Sequence, residues 1–325
     1  MTTTLRKQAS WLTVAAWAFA NQPTPEPPWP SRIQGFSFQP YQKDQDAIAR
    51  DEPTTEQVDS DLKLLAGKTN SVRTYSTLGT LGEIPRLAAR HDIKVAVGAW
   101  LDTDRERNAL EVENAIQLAR KYDNVVRVIV GNEVVLRGDL PMDEIAAHLD
   151  RVRAVTRQPV STAEPWHVWI EHPELAEHVD FIAVHMLPYW EGVEVEAAVG
   201  YVTDKMRRLE EAFPGKPIVI GEVGWPSDGR TRDSAVASTS NQALFLRRFL
   251  DHARKQGYAY YVMEAFDQPW KERSEGQVGA YWGVYDADRQ QKFEFRAPIV
   301  RVPNWQVLAA SSVITAAILL WLSYF

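Results

Sequence analysis

Eight short runs of apolar, mostly β-branched residues alternate along this 325-residue chain with segments of helical periodicity. The runs are too apolar to leave one face of a sheet in water, so they imply parallel strands covered by helices. Eight repeats of that unit favour a closed barrel over an open sheet. A third observation is the charge-free stretch 305–325 at the C-terminal end. Together these predict an α/β fold, a single (β/α)8 TIM barrel with a C-terminal transmembrane helix.

In chain order, Arg6 and Lys7 precede a short apolar run that ends Ala18-Phe19-Ala20. Positive charge, apolar run and small-x-small ending give residues 1–20 the pattern of a secretory signal peptide, with an uncleaved anchoring helix as the alternative. Residues 21–32 are proline-rich and read as an extended linker. Strands are expected at 35–39, 71–75, 94–100, 125–131, 160–163, 181–185, 218–222 and 258–265. Helical periodicity covers 56–66, 81–90, 107–121, 142–156, 195–213 and 241–256, with a shorter piece at 173–177. The barrel domain so defined spans 33–300. Residues 305–325 reach the roughly 20 apolar residues a bilayer-spanning helix needs, and Trp305 and Tyr324 stand where interfacial aromatics belong. On this reading the chain is the front part of a longer membrane protein, with its barrel facing the exterior or a periplasm and tethered at its C-terminal end. Arg296 and Arg301 argue weakly for the opposite orientation, but large domains translocate largely regardless of such charges.

A formal net charge of −7 with both signs interspersed offers nothing to nucleic acid or to anionic lipid. With no cysteine, thiol chemistry, disulfides and cysteine metal sites are excluded. The Gly67-Lys68-Thr69 triplet is no phosphate loop, because Leu62 stands where the first glycine of that motif belongs. No histidine spacing suggests a metal site, and no cofactor is implied.

Two segments carry the chemistry. VVRVIVGNEVVLRG ends its apolar run at Glu133, and PIVIGEVGWPSDG ends its run at Glu222. Either glutamate alone could be a solvated loop residue. Together, after strand four and at the end of strand seven, they lie on the C-terminal rim where barrel active sites form. Two such carboxylates are the minimal equipment for cleaving a glycosidic bond, one as general acid and the other as base or nucleophile. Asn132 precedes the first; Gly221, Gly224 and Trp225 frame the second, and a tryptophan face can stack on a sugar ring. The same rim collects Phe38, Tyr41, Tyr75, Trp100, Glu164, Trp166, His185, Tyr189, Trp190, Trp270 and Trp282, of which about half are expected to touch sugar.

These residues resemble glycoside hydrolase family 17, the β-1,3-glucanase and glucanosyltransferase family. The matching pieces are VRTYS at strand two, GNEV at strand four, HMLPYW after strand six, GEVGWPSDG at strand seven, and EAFDQPWK with YWGVYD at strand eight. The resemblance implies Glu133 as acid/base and Glu222 as nucleophile of a retaining double displacement. It further implies Asn132 on the sugar 2-hydroxyl, Tyr189 and His185 orienting the nucleophile, and Tyr75, Trp225, Trp270 and Lys271 lining subsites; from the rim reading above, Phe38, Tyr41, Glu164 and Trp166 are expected as further substrate contacts. One departure is Gly279, which stands where many members carry a glutamate; the subsite contact that glutamate makes is expected to be either lost, with a different acceptor or linkage preference, or supplied by Glu272 or Glu275. Within the family, the GFSFQPYQ start, the IKVAVGAWLDTD segment and the trailing apolar stretch look most like bacterial modules of β-1,6-glucan and cyclic β-1,3/1,6-glucan synthesis. That likeness implies transfer rather than hydrolysis, and a membrane glucan synthase as partner.

Overall fold

The computed structural model describes residues 3–322. Two compact units result, one of residues 29–293 and the other of residues 1–28 with 294–325.

The first unit is a barrel. Strands β1 (Ile33–Ser37), β2 (Thr69–Arg73), β3 (Lys94–Ala99), β4 (Val125–Asn132), β5 (Val160–Pro165), β6 (Ile182–Met186), β7 (Ile218–Val223) and β8 (Ala259–Val262) pair in sequence order, and β8 closes on β1. Every neighbouring pair is parallel, as Gly35–Ser71 and Phe36–Val262 illustrate. All eight expected strands are present, displaced by a few residues at their ends. The interior sets small residues against large ones: Ala96, Ala163 and Ala183 pack with Phe181, Ile129, Val219 and Tyr261.

Around the barrel run α2 (Thr55–Leu65), α3 (Ile84–Ala89), α4 (Arg105–Lys121), α6 (Met142–Val155), α8 (Ala198–Ala212) and α9 (Thr239–Gln256), numbered after an N-terminal α1 (Thr3–Ala20). Short α5 (Val134–Arg137), α7 (Trp166–Glu171) and α10 (Glu272–Glu275) sit in strand-to-helix loops. Periodicity alone places several helix starts late, because capping side chains recruit residues ahead of the first apolar one. Thr54 and Gln57 form a reciprocal capping box on α2, Asp104 accepts from the backbone N–H of Arg107, and Ser238 accepts from that of Asn241. The helix expected at 81–90 divides into a tighter turn, Gly79–Glu83, and α3, with Pro85 in the first turn of α3. The expected linker does not stay extended to its end: Trp29 is buried between Phe36 and Phe293, with ring centroids 6.5 Å and 5.9 Å away.

In the second unit, α1 packs against α11 (Trp305–Leu322). Asn21 is 3% exposed and ties the two together. Its Nδ2 donates to the Trp17 carbonyl at 2.9 Å and its Oδ1 accepts from the Val302 N–H at 2.9 Å. Thr24 and Ile299 exchange backbone hydrogen bonds of 2.9 Å each way, so the end of α1 and the start of α11 are held side by side. Trp11, Leu12 and Phe19 on one helix, and Ile314, Ile318, Leu319 and Trp321 on the other, remain exposed. Among the described residues no helix is long and apolar enough to cross a membrane. The 18 residues of α11 rise about 27 Å, slightly less than a hydrocarbon core of roughly 30 Å. The last three residues of the expected span, 323–325, lie outside the described residues.

Backbone proximity in the barrel demands glycine at position 98, where a Cβ would lie 2.1 Å from the Thr74 carbonyl oxygen. Gly98→Ala should therefore lower stability by about 1–3 kcal/mol, the usual range for overpacking. Urea unfolding of the purified protein measures it, and an unchanged midpoint would show that β2 and β3 separate at no cost.

Candidate active site

Four strand ends meet at the C-terminal rim of the barrel: Arg73 from β2, Asn132 and the following Glu133 from β4, His185 from β6 and Glu222 from β7. Glu222 is 5% exposed. Its Oε1 accepts from Arg73 Nη1 at 2.8 Å and from the Tyr75 hydroxyl at 2.7 Å. Burial works to raise this carboxyl, but interaction with His185, with the Arg73 guanidinium, with the Tyr75 hydroxyl and with Lys271 outweighs it and holds the pKa below the ordinary glutamate value. Burial drives the Tyr75 hydroxyl well above the usual tyrosine range, so it stays a donor. Glu222 is thus an ionised, oriented carboxylate near neutral pH.

Glu133 is reached differently. Gly131, the last residue but one of β4, has φ 87°, and Glu133 itself takes a left-handed backbone, φ 54° and ψ 33°, which costs a non-glycine residue strain. The turn is strapped from β5. Glu164, fully buried, accepts from the backbone N–H of Val135 at 2.8 Å and of Leu136 at 3.3 Å, while the Glu133 N–H donates to the Ala163 carbonyl at 2.7 Å. Arg137 folds back to donate to the carbonyls of Asn132 and, at 2.8 Å, of Leu101. The side chain of Glu133 remains 28% exposed against 6% for Glu222, which leaves the former open to solvent and substrate.

One imidazole lies between the two acids. His185 Nδ1 is 2.9 Å from Glu133 Oε1, and its Nε2 is 3.5 Å from Glu222 Oε1 and 3.3 Å from Arg73 Nη1. Arg73 Nη2 also donates to Asn132 Oδ1. Among the described residues no group of three or more histidine or acidic side chains is arranged to hold a metal ion.

Other expected contacts fall elsewhere. Tyr189 does not serve Glu222: it is fully buried, edge-on to Trp225 and Trp282, and its hydroxyl donates to the Arg230 carbonyl. Trp225 is fully buried as well, with Nε1 donating to the Val236 carbonyl at 3.0 Å, so it props the loop after β7 and offers no face to a sugar. Glu164 is a strap and Phe38, 1% exposed against Phe266, is core. Tyr41 is 7% exposed and braces Trp270, whose Nε1 donates to Gln268 at 2.8 Å. Lys271, 2% exposed, sits in a buried ion pair with Glu264 at 2.8 and 3.0 Å; burial works to lower its pKa, and the Glu264 and Glu275 carboxylates hold it above the ordinary value. Trp166 is half-buried with the Lys205 ammonium 4.2 Å from its ring centroid. Tyr75, Trp100, Asn132, Trp190 and Trp270 keep partly exposed surface at the mouth. At Gly279 an added Cβ would stand 2.6 Å from Glu275 Cβ and 3.1 Å from its Oε2, so Glu275, and not Glu272, fills that space.

Arg73 is the principal residue that sequence reasoning missed. Its one usable signal is its place two residues before Tyr75, a charged residue at the C-terminal end of β2.

With this geometry in view, residues 35–283 match the BtgE/BtgC glycoside hydrolase domain. The chain belongs to that family of glycoside hydrolases. A glucan 1,3-beta-glucosidase of Schizosaccharomyces pombe is 32% identical over 254 residues, covering 72% of this chain and 78% of the relative. Among solved structures, an active-site mutant of the Rhizomucor miehei beta-1,3-glucanosyltransferase, in complex with laminaritriose, superposes with a TM-score of 0.72 at 25% identity, covering 82% of this chain and 98% of that one. A second structure of that glycoside hydrolase family 17 enzyme gives 0.70 at 26% identity, covering 80% and 95%. The chain is accordingly an enzyme of family 17 type, a glucosidase or glucanosyltransferase on an eight-stranded barrel.

Two variants probe the site as built. Tyr75→Phe removes one hydrogen bond to an ionised carboxylate, commonly about 1.5–3 kcal/mol, and should lower kcat/KM about 10- to 100-fold. Because the lost bond favoured the charged form, the acid limb of the pH profile should move upward; an unmoved limb would mean Glu222 is not the group that must ionise. Burial pushes Glu164 up to about 7. A carboxyl raised on folding stabilises most below its unfolded value, near 4.3, and loses that contribution as pH rises through about 7. Glu164→Gln should therefore flatten the fall in stability across that window, read as the thermal midpoint against pH.

Proposed function

We propose that this barrel is a retaining β-1,3-glucan glucanosyltransferase acting by double displacement. The observation that carries the reading is the asymmetry of the two acids: Glu222 is buried, ionised and clamped by Arg73 and Tyr75, whereas Glu133 is half open beside the same imidazole. Glu222 attacks the anomeric carbon while Glu133 gives its proton to the departing glycosidic oxygen. Glu133, now a base, then activates the acceptor that displaces Glu222. Asn132 holds the sugar 2-hydroxyl, and Tyr75 and Trp270 line subsites.

A sugar hydroxyl competes with water for the glucosyl-enzyme when the acceptor is held in place, because stacking raises its local concentration. The partly exposed Trp100, Trp190 and Trp270 supply such surface. Attack by O6 would form a β-1,6 branch or close a ring. The Rhizomucor miehei glucanosyltransferase supports transfer, and the Schizosaccharomyces pombe glucosidase supports hydrolysis as the second reading. For the whole molecule we propose an extracytoplasmic barrel on a bacterial inner membrane. The paired apolar helices α1 and α11 would tether it beside a membrane glucan synthase.

Incubation with a β-1,3-gluco-oligosaccharide of one length, followed by mass spectrometry and linkage analysis, separates the readings. Products longer than the donor, or lighter by one water, with new 1,6 linkages are expected. Shorter 1,3-linked products alone would make the enzyme a hydrolase. Glu133→Gln and Glu222→Gln should each abolish turnover of the oligosaccharide; activity surviving in both would overturn the assignment of their roles, and no product at all from the unaltered protein would leave a glucan-binding role.

A further inference from the structure

His185 touches both acids, and its surroundings determine which nitrogen carries the proton. Nδ1 lies 2.9 Å from Glu133 Oε1, and an ionised carboxylate only accepts, so an N–H stands on Nδ1. The imidazole is 3% exposed, so water does not compete for either nitrogen. Room for it depends on Gly221, where a Cβ would come within 3.3 Å of His185 Cδ2 and 3.5 Å of Nε2. The charged or titratable groups around the ring are Glu133 from the end of β4, Glu164 from β5, Glu222 from β7 and Arg73 from β2.

We propose that His185 is a positioning residue for the acid/base: by occupying Oε1 of Glu133 it reserves Oε2 for the proton that passes to the leaving oxygen. The inference rests on Glu133 being the general acid. It departs from the expectation that His185 orients the nucleophile, a task Arg73 and Tyr75 already perform. No bond is made or broken at His185, and the N–H on Nδ1 stays in place throughout.

The test uses the departing group. A dinitrophenolate leaves without protonation, so a defect confined to proton delivery disappears with a dinitrophenyl β-laminaribioside and persists with a β-1,3-gluco-oligosaccharide. The parameter is kcat/KM, which reports the first chemical step. Two variants of His185 separate its nitrogens, because the Asn amide nitrogen lies as many bonds from Cβ as Nδ1 and the Gln amide nitrogen as many as Nε2. With full-length protein, His185→Gln should lose about 10- to 100-fold on the oligosaccharide and less than about 3-fold on the activated donor, while His185→Asn keeps most activity on both. Equal losses on both donors, retention of oligosaccharide activity by His185→Gln, or failure of His185→Asn to restore it would overturn the proposal; thermal midpoints identify a variant that fails by unfolding, and His185→Asn then decides. Glu133→Gln run alongside should itself lose activity selectively on the oligosaccharide. If it does not, the assignment of Glu133 fails, whatever the His185 variants do.

Discussion

A guanidinium buried to 1% exposure is the feature on which the site depends. Removing a charge from water is costly unless partners replace its hydration, and Arg73 finds them on three other strands, β4, β6 and β7. It donates to Glu222, to the Gly221 carbonyl, to Asn132 and toward His185, and the Tyr75 hydroxyl lies 3.3 Å from it. Each partner is thereby fixed by the others. Arg73 also offsets what burial alone would do to Glu222, which is to favour its protonated form.

The parallel barrel explains why two acids so close in space differ so much in setting. Glu222 is still within β7, opposite His185 in the register of β6, and inherits the interior. Glu133 comes one residue past the end of β4 in a left-handed turn and inherits the mouth. The strain of that turn is offset by Glu164, whose buried carboxylate takes two backbone N–H groups directly after it. A second buried pair, Lys271 with Glu264, lends positive charge from the β8 side.

Much of this could be read from the chain. Eight apolar runs with a fixed alternation specify a parallel barrel, and a glutamate ending two of them marks the rim. What could not be read was which rim residues face inward and which prop the walls. Trp225, Tyr189 and Phe38 are aromatic, near the glutamates in sequence, and packed away from the mouth; one residue of rotation decides that, and neither composition nor spacing records it. Glu164 reads as a third rim acid because its partners are backbone N–H groups, which every sequence contains. Arg73 escapes for the opposite reason: its meaning lies in four residues from other strands. The helix starts were placed late because a cap is a side-chain interaction one turn ahead of any apolar periodicity. At the termini, apolar runs marked both segments but not their pairing through Asn21.

The central claim is that Glu222 is the nucleophile and carries the sugar between the two displacements. Peptide mapping by mass spectrometry after incubation with a deoxyfluoro β-laminaribiosyl fluoride tests it directly, since the fluorine slows release of the intermediate. The account predicts one laminaribiosyl adduct, on Glu222, formed more slowly when Tyr75 is replaced by Phe. An adduct on Glu133, or turnover of the fluoride with inversion and no adduct, would contradict it.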